Sequence, residues 1–296
     1  MSGLGVALRQ ALEAAVPGAV VVGQRPLEGG VSAQVTEVLL RRADGSVDRS
    51  VLRRPPVDGA AEMEERLLRA VHGVGLPVPR VRPWSGPAGV LWMDFVEGDG
   101  ALPEPLEVAL DAIAGFMVAL HGLDPNALDL PPLPARHDPL PELRSWCPAD
   151  DDLQALLDRC PLSPGPTRLL HGDVWPGNLR WRGAELVGVL DWEDAALGDP
   201  VSDVAATRQE VQWQCGEAAA QHFLRAYEAR ERAAGRVPGM ERLPWWQLYV
   251  AVAADTFMDA WGLPAGRTAT MRHHARALAA QARGHLDRQR GPTSGP

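Results

Sequence analysis

The spacing of apolar residues changes near residue 98, and this change constrains the fold more than any other feature of the sequence. The first part has the alternation typical of strands, apart from helical stretches at 4–16 and 60–72. Strands are predicted there at 20–27, 34–42, 49–54 and 89–98. After residue 98, most long stretches have the period of helices instead. The sequence therefore predicts an α+β fold with two lobes.

The second part of the chain is predicted to be mainly helical. Helices are predicted at 103–122, 150–159, 200–214, 217–234, 244–261 and 268–288. Two short strands at 179–182 and 185–190 form a hairpin between them. We divide the chain into a small sheet-rich N-lobe (1–94), a large helical C-lobe (95–288) and a disordered tail (289–296). A cleft between two lobes is a common place for a ligand.

Charge and composition narrow the class of protein. The formal net charge is −9, which disfavours nucleic acid as a partner. Apolar runs are too short to cross a bilayer, and three scattered cysteines are typical of a reducing compartment. We therefore expect a cytoplasmic protein, monomeric or homodimeric, that binds neither nucleic acid nor membrane. The chain contains no lysine, so arginine must act wherever a side-chain cation is needed.

One segment, LLHGDVWPGNLRWRGAELVGVLDWEDAALGDPVSDVA at 169–205, carries the chemistry. Asn178 precedes the predicted hairpin and Asp191 follows it, so folding brings both to the same end. Their oxygen atoms suit magnesium carried by phosphates. Asp173 lies in the loop before them, where it can orient an attacking hydroxyl and accept its proton. His171 is expected to brace this loop through hydrogen bonds.

The full pattern is H-G-D, then Asn, an apolar strand, Asp-Trp and G-D-P-x-x-D. It closely resembles the aminoglycoside phosphotransferase family, relatives of the protein kinases, and the resemblance covers nearly the whole chain. It implies a two-lobed protein-kinase-like fold, with Asp173 as catalytic base and Asn178 and Asp191 as magnesium ligands. It also implies that Asp203 holds the catalytic loop in place. Asp199 is expected to cap the helix that follows it.

The resemblance also assigns a phosphate-covering loop and a basic residue to the nucleotide. The loop residues are Gly29, Gly30 and Ser32. The family usually has a lysine on the next strand; here Arg53 takes its place, with Arg54 as the alternative. Arginine binds phosphate as a fork and not as a compact point charge. Kinase domains fused to some acyl-CoA dehydrogenases resemble this V-L-R stretch, so the arginine is compatible with activity.

Two further contacts are expected around the nucleotide. Glu64, on the helix after Arg53, is predicted as the carboxylate partner of the arginine, with Glu62 and Glu65 as alternatives. The strand LWMDFVEG resembles the hinge between the lobes, where the adenine ring is bound. The expected contacts there are Met93, Asp94 and Val96. The implied cofactors are ATP, with GTP as the alternative, and Mg²⁺.

The acceptor is less constrained by the sequence. Candidate substrate contacts are Glu193, Asp194, Asp255 and Asp259, and Glu210 is a further acid that could face the cleft. The alternative for the Asp255 and Asp259 pair is exposure to solvent. Aromatic residues could instead line an apolar pocket or belong to the core: Trp245, Trp246, Tyr249, Phe257 and Trp261.

We therefore predict an ATP- and magnesium-dependent O-phosphotransferase that acts on a hydroxyl of a small molecule. An aminoglycoside-like cationic acceptor is the leading hypothesis, which implies a role in antibiotic resistance. A kinase for an apolar hydroxylated substrate, such as a macrolide or a hydroxyacyl thioester, is the first alternative. A nucleotide-binding pseudoenzyme that acts by interaction is the second.

Overall fold

The computed structural model of the protein describes residues 5–27, 33–160 and 162–289. The N-lobe contains α1 (Val6–Ala15), β1 (Val20–Pro26), β2 (Gln34–Arg41), β3 (Val47–Arg54), α2 (Ala60–Gly73) and β4 (Leu91–Asp94). Its four strands form an antiparallel sheet in sequence order. The predicted phosphate loop, with Gly29, Gly30 and Ser32, lies outside the described residues.

Alternation along β3 and β4 gives this sheet two different faces. Leu52 and Trp92 pack on one face with the apolar side of α1. Val51 and Met93 pack on the other face with α2 and the C-lobe. Because side chains alternate along a strand, Arg53 projects from the same face as Val51. The strand therefore directs Arg53 toward α2 and the cleft.

The C-lobe contains α3 (Leu106–His121), β5 (Ala135–Arg136), α4 (Leu140–Trp146), α5 (Asp151–Arg159), β6 (Arg168–Leu170), β7 (Leu179–Arg182), β8 (Glu185–Val189), β9 (Ala196–Gly198), α6 (Pro200–Cys215), α7 (Glu217–Ala233), α8 (Leu243–Phe257) and α9 (Ala265–Gln289). β7 and β8 form a hairpin, while β5, β9 and β6 form a small sheet. α3 packs on α7, and α8 packs on α9. None of the described helices is both long and apolar enough to span a membrane.

A single apolar cluster runs through both lobes. Val51 and Leu68 of the N-lobe belong to it together with Trp181 of the C-lobe hairpin. The backbone N–H of Val189 also donates to the carbonyl of Pro77 at 2.7 Å. These contacts hold the hairpin to the N-lobe, and the residues at its two ends, Asn178 and Asp191, line the cleft.

Most of the predicted helices and strands are present, with their ends shifted by a few residues. The sequence did not indicate β5, β6 and β9, because each is too short for a periodic pattern. It also missed α4, which lies within a proline-rich stretch. A proline in the first turn of that helix is tolerated, because the N–H it lacks would have no partner there.

Candidate active site

The loop at 171–178 joins β6 to β7 and is held by a single buried carboxylate. Asp203, in the first turn of α6, accepts hydrogen bonds from the backbone N–H groups of His171 (2.8 Å) and Gly172 (3.0 Å). Burial acts to raise the pKa of Asp203, but the contact with His121 holds it below the usual range. The carboxylate is therefore charged, and it accepts two strong hydrogen bonds from the loop backbone.

Gly172 is required by the shape of this loop. Its φ of 88° lies in the left-handed region, which residues with a Cβ rarely adopt. A Cβ built at this position would also lie 2.1 Å from the carbonyl oxygen of Asp194. Both observations explain the glycine in the H-G-D pattern, because it lets the two chain segments approach closely.

His171 is buried, and both of its ring nitrogens have partners. Nδ1 accepts from the backbone N–H of Asp173 (3.2 Å), so Nε2 donates to the carbonyl of Leu190 (3.0 Å). Burial lowers the pKa of His171 to about 4, so the ring is neutral at physiological pH. A neutral ring with both nitrogens occupied links the loop to the end of the hairpin, and it is not available as a proton acceptor.

Asp173 is held within the same loop by Asn178. The Nδ2 group of Asn178 donates to the Oδ2 of Asp173 (2.9 Å) and to its backbone carbonyl (3.0 Å). Burial and the negative charges of Asp194 and Asp191 raise the pKa of Asp173 to about 7. A carboxyl group with that pKa can take up and release a proton near neutral pH. This is a property expected of a general base.

The hairpin brings Asn178 and Asp191 to the same end. The backbone N–H of Leu190 donates to the carbonyl of Asn178 at 2.8 Å, immediately before Asp191. Asp191 has a φ of 64° and is the one described residue other than glycine with a left-handed backbone. Such a conformation costs free energy and occurs preferentially at functional sites. The turn directs the Asp191 carboxylate into the cleft.

The donor atoms at this end of the hairpin fit a magnesium ion that arrives with a nucleotide. Asn178 offers an amide oxygen and Asp191 a carboxylate, and both are hard ligands. Among the described residues, there is no group of three or more His, Cys, Asp or Glu side chains that could hold a metal ion. Mg²⁺ usually takes one or two carboxylates together with phosphate oxygens and water, so this small donor set is adequate.

Arg53 crosses the cleft and contacts three carboxylates. Its Nε donates to Glu64 (2.9 Å), and its Nη2 donates to both Asp191 (2.7 Å) and Glu193 (2.9 Å). Only 6% of the Arg53 side chain is exposed. Burial alone would lower the pKa of Arg53, but Glu64 and Asp191 raise it. The guanidinium is therefore a permanent cation in the cleft.

The structure distinguishes between the predicted alternatives around this arginine. Arg54 is exposed, whereas Arg53 points into the cleft. Glu64 is the buried acid of α2, while Glu65 is partly exposed and pairs with Arg69. Arg53 and Glu64 are therefore the pair that faces the cleft.

A cavity of about 500 Å³ lies between the lobes. It is lined by the predicted nucleotide contacts Arg53, Glu64, Met93, Asp94 and Val96, together with Asn178 and Asp191. The side chain of Asp94 pairs with Arg80 at 2.8 Å, so the backbone of Asp94 is the part of the residue that can form hydrogen bonds with a nucleobase. The cavity is large enough for a nucleotide-sized ligand.

The acids predicted to bind the acceptor fall into two groups. Asp194 lies beside the 171–178 loop, close enough for its charge to raise the pKa of Asp173. Glu193 binds Arg53 instead. Asp191 and Glu193 both accept from the Nη2 group of Arg53, so their carboxylates meet at the same side of the guanidinium.

Asp255 and Asp259 are not part of the cavity, contrary to the prediction that they face a pocket. Asp255 accepts from Arg272 (3.0 Å) and Arg276 (2.9 Å) of α9, and Asp259 accepts from Arg272 (3.0 Å). Asp259 is 78% exposed. The arginines of α9 neutralise this pair, so the alternative of a surface position describes it better.

Glu210 on α6 is closer to the chemistry than this pair. It lies two helical turns after Asp203, and therefore on the same face of α6 as the residue that holds the 171–178 loop. Burial and the charge of Asp173 raise the pKa of Glu210 to about 7. The sequence indicated Glu210 only as one of several acids that could face the cleft. Its position on the same helix face as Asp203 becomes informative only when that face is known to contact the 171–178 loop.

The predicted aromatic residues divide between the core and a partly open cluster. Trp245 and Trp246 are buried. Tyr249 and Phe257 are more open, and both rings contact Trp146, at centroid distances of 5.0 and 5.4 Å. Trp146 was not singled out from the sequence, because it lies at the end of the helix in the proline-rich stretch.

Comparison with known proteins agrees with this geometry. The family model described as "APH: Phosphotransferase enzyme family" matches residues 23–246, more than half of the chain. A curated relative, acyl-CoA dehydrogenase family member 10 of Mus musculus, is 29% identical over 180 residues. That match covers 51% of this chain but 17% of the relative, so the chain spans only a small part of that protein.

Solved structures of phosphotransferases have the same fold. Macrolide 2'-phosphotransferase type I is similar with a TM-score of 0.62 and 20% identity, over 97% of this chain and 99% of that one. A thermostable mutant of aminoglycoside phosphotransferase APH(4)-Ia, in ternary complex with AMP-PNP and hygromycin B, has a TM-score of 0.55 and 17% identity. The match covers 98% of this chain and 100% of that one. By the family match and the shared two-lobed architecture, the chain belongs to the phosphotransferase enzyme family and is a small-molecule kinase with a protein-kinase-like fold.

Proposed function

We propose that the protein is an ATP- and magnesium-dependent O-phosphotransferase that transfers the γ-phosphoryl group to a hydroxyl of a small molecule. One observation carries the proposal. The carboxyl group of Asp173 has a pKa of about 7 and is held by Asn178, beside the Asp191 that Arg53 reaches across the cleft. A proton acceptor, two hard oxygen donors and a permanent cation are the groups that phosphoryl transfer uses.

Asp173 has the central role in this mechanism. It orients the acceptor hydroxyl and accepts its proton as the oxygen attacks the γ-phosphorus atom, while the bond from that atom to the β–γ bridging oxygen breaks and releases the nucleoside diphosphate. Asn178 keeps the Asp173 carboxylate in place and, with Asp191, would hold Mg²⁺. The ion, when bound, neutralises charge that develops on the phosphate oxygens. His171 and Asp203 fix the loop, so Asp173 does not have to be ordered at the moment of reaction.

The nucleotide is proposed to lie in the cavity between the N-lobe and the C-lobe, for which we propose the bounds 1–94 and 95–288. Arg53, supported by Glu64, binds its phosphates, and the backbone near Asp94 and Val96 binds the base. Met93 lies at the back of the cavity. The AMP-PNP in the APH(4)-Ia complex supports an adenine nucleotide, with GTP as the alternative donor.

Phosphate transfer in the presence of Mg²⁺ tests this function directly. The purified protein is incubated with γ-labelled ATP or GTP and a panel of aminoglycosides, macrolides, hydroxyacyl thioesters and hydroxylated metabolites, with and without chelator. Magnesium-dependent labelling of one acceptor class is the expected result. Nucleotide binding without transfer to any acceptor would favour a pseudoenzyme instead.

The acceptor is proposed to be an aminoglycoside-like cation, which would connect the protein to antibiotic resistance. Asp194 and Glu210 both lie near Asp173, and their charges would attract an amine-bearing molecule. The second candidate is an apolar hydroxylated acceptor. The partly open cluster of Trp146, Tyr249 and Phe257 favours it, as do the macrolide kinase and the acyl-CoA dehydrogenase family member among the similar proteins.

Replacement of Glu210 with glutamine distinguishes the two acceptor classes. If the acceptor is cationic, we expect E210Q to raise its KM by roughly 10-fold, because a charge-assisted contact is lost. The KM for ATP is expected to change by less than about 2-fold, because Glu210 lies on the acceptor side. Steady-state kinetics with each substrate varied in turn measures both constants.

E228Q is the matched control for this variant. Glu228 is an acid on the neighbouring helix α7 that pairs with Arg232. We expect its kinetics to match the wild type. An unchanged acceptor KM in E210Q, or a parallel rise in the KM for ATP, would contradict a cationic acceptor held by Glu210.

The pH dependence of kcat/KM is a second expected outcome. Only the ionised carboxylate of Asp173 can accept a proton, and its pKa is raised to about 7. We therefore expect kcat/KM to rise about tenfold for each pH unit below that value and to level off above it. Because the charge of Asp194 contributes to the raised pKa, D194N is expected to move the midpoint to lower pH. An identical midpoint in both proteins would assign the titration to the substrate.

A further inference from the structure

The contact between Arg53 and Asp191 conflicts with the proposed role of Asp191 as a metal ligand. Oδ1 of Asp191 accepts from Nη2 of Arg53 at 2.7 Å. A guanidinium and a divalent cation repel each other, so Mg²⁺ and Arg53 compete for this carboxylate. Binding of Mg²⁺ at Asp191 therefore favours movement of Arg53 away from it.

Glu193 lies where it can receive the displaced arginine. The same Nη2 of Arg53 already donates to Glu193 at 2.9 Å, while Nε is held by Glu64. The arginine can therefore give up Asp191 without losing its other two carboxylates, and its movement is small. A lysine at this position would have a single nitrogen, which could not hold Glu64 and Glu193 through separate atoms.

Glu193 differs from Glu64 in its environment. Its side chain is 36% exposed, whereas that of Glu64 is 7% exposed. Glu64 is thus a fixed, buried partner on α2, and Glu193 is the partner at the open edge of the cleft. Glu64 accepts from the Nε of Arg53, and Glu193 accepts from its Nη2, the nitrogen that also contacts Asp191.

We propose that Glu193 is a positioning residue that holds Arg53 when the magnesium–nucleotide complex takes Asp191. Arg53 exchanges a three-carboxylate arrangement for one with Glu64, Glu193 and the phosphates. Glu193 thereby lowers the free-energy cost of vacating the metal site. This role rests on the proposed function, because it requires a metal-bound nucleotide in the cleft.

The experiment measures nucleotide binding by calorimetry, without any acceptor. ADP affinity is determined with Mg²⁺ and with chelator, and the ratio gives the gain in affinity due to the metal. We expect E193Q to reduce this gain by roughly tenfold, a size typical of coupled charges in contact. Metal-free affinity should change much less. E65Q, which removes a partly exposed acid of α2 that pairs with Arg69, should retain the wild-type gain in affinity.

A double-mutant cycle with R53K separates positioning from a plain charge effect. Loss of a negative charge near the metal would reduce the magnesium-dependent gain in ADP affinity whichever residue is at position 53. Positioning acts through the arginine fork, so E193Q should have little further effect in the R53K background. An equal effect of E193Q in both backgrounds would overturn the proposal, as would an unchanged gain in E193Q itself.

The same measurements distinguish failure of this proposal from failure of the proposed function. If wild-type protein gains no affinity from Mg²⁺, both are overturned. If the wild type gains affinity and E193Q gains as much, only the role of Glu193 is overturned. Thermal unfolding of each variant verifies that it is folded, and the partly exposed position of Glu193 makes E193Q a mild change.

Discussion

Replacing Asp173 with asparagine is expected to lower kcat by about 10³-fold or more while leaving the protein folded and more stable at neutral pH. The amide has nearly the same shape as the carboxyl group but cannot accept the proton of the acceptor hydroxyl. Phosphate-transfer assays at saturating nucleotide measure the loss of kcat. D129N, which changes an exposed aspartate paired with Arg66, should keep the wild-type kcat. A kcat for D173N within tenfold of wild type would exclude Asp173 as the base.

The stability of D173N follows from the raised pKa. The pKa of Asp173 in the folded protein, about 7, lies above the ordinary value of 3.8. Protonated Asp173 therefore stabilises the fold at low pH, and this stability is lost as the pH rises toward about 7. Asparagine is neutral throughout, so the gain in Tm of D173N should grow over this window and stay constant above it. A Tm difference that is independent of pH would contradict the raised pKa.

The second large effect is expected at Asp203. D203A would leave the buried N–H groups of His171 and Gly172 without their acceptor. Loss of charge-assisted hydrogen bonds of this kind should lower the free energy of unfolding by about 3 kcal/mol. The 171–178 loop should also lose its position, so kcat should fall by roughly 100-fold or more even in the folded protein. Urea unfolding and kinetics at a temperature well below Tm measure the two effects separately.

D111A provides the comparison for D203A. Asp111 is a partly exposed acid of α3 that pairs with His222 at 3.0 Å. Surface pairs of this kind usually contribute about 1 kcal/mol or less, so D111A should remain close to wild type. D203N keeps one acceptor oxygen and should lie between wild type and D203A in stability. If D203A retained both wild-type stability and kcat, Asp203 would have no role in holding the loop.

Much of this architecture could be predicted because its signals are local. The strands β2 and β3 and the long helices have regular apolar spacing, and the hairpin β7–β8 has an obvious turn. The hairpin also determines that Asn178 and Asp191 meet, which needs no knowledge of the rest of the fold. The short strands β5, β6 and β9 depend on tertiary contacts, so no local pattern indicates them.

Several predicted site residues have distant partners that the sequence did not indicate. Asp255 and Asp259 share a helix face, but the decisive fact is their pairing with arginines of α9. Glu193 was grouped with the acceptor contacts, although its carboxylate meets Arg53, which lies far away in the sequence. Such pairings are set by how the lobes pack, and a single sequence has no signal for them.

The apolar cluster that runs through both lobes links their stabilities. Since Val51 and Leu68 share one core with Trp181, unfolding of the N-lobe sheet would expose apolar surface of the C-lobe as well. We therefore expect the two lobes to unfold as one cooperative unit. A ligand that binds anywhere in the cleft therefore stabilises the whole chain, by an amount set by its affinity and concentration. A single melting transition can serve as a general reporter for nucleotides and acceptors alike, before any acceptor is known.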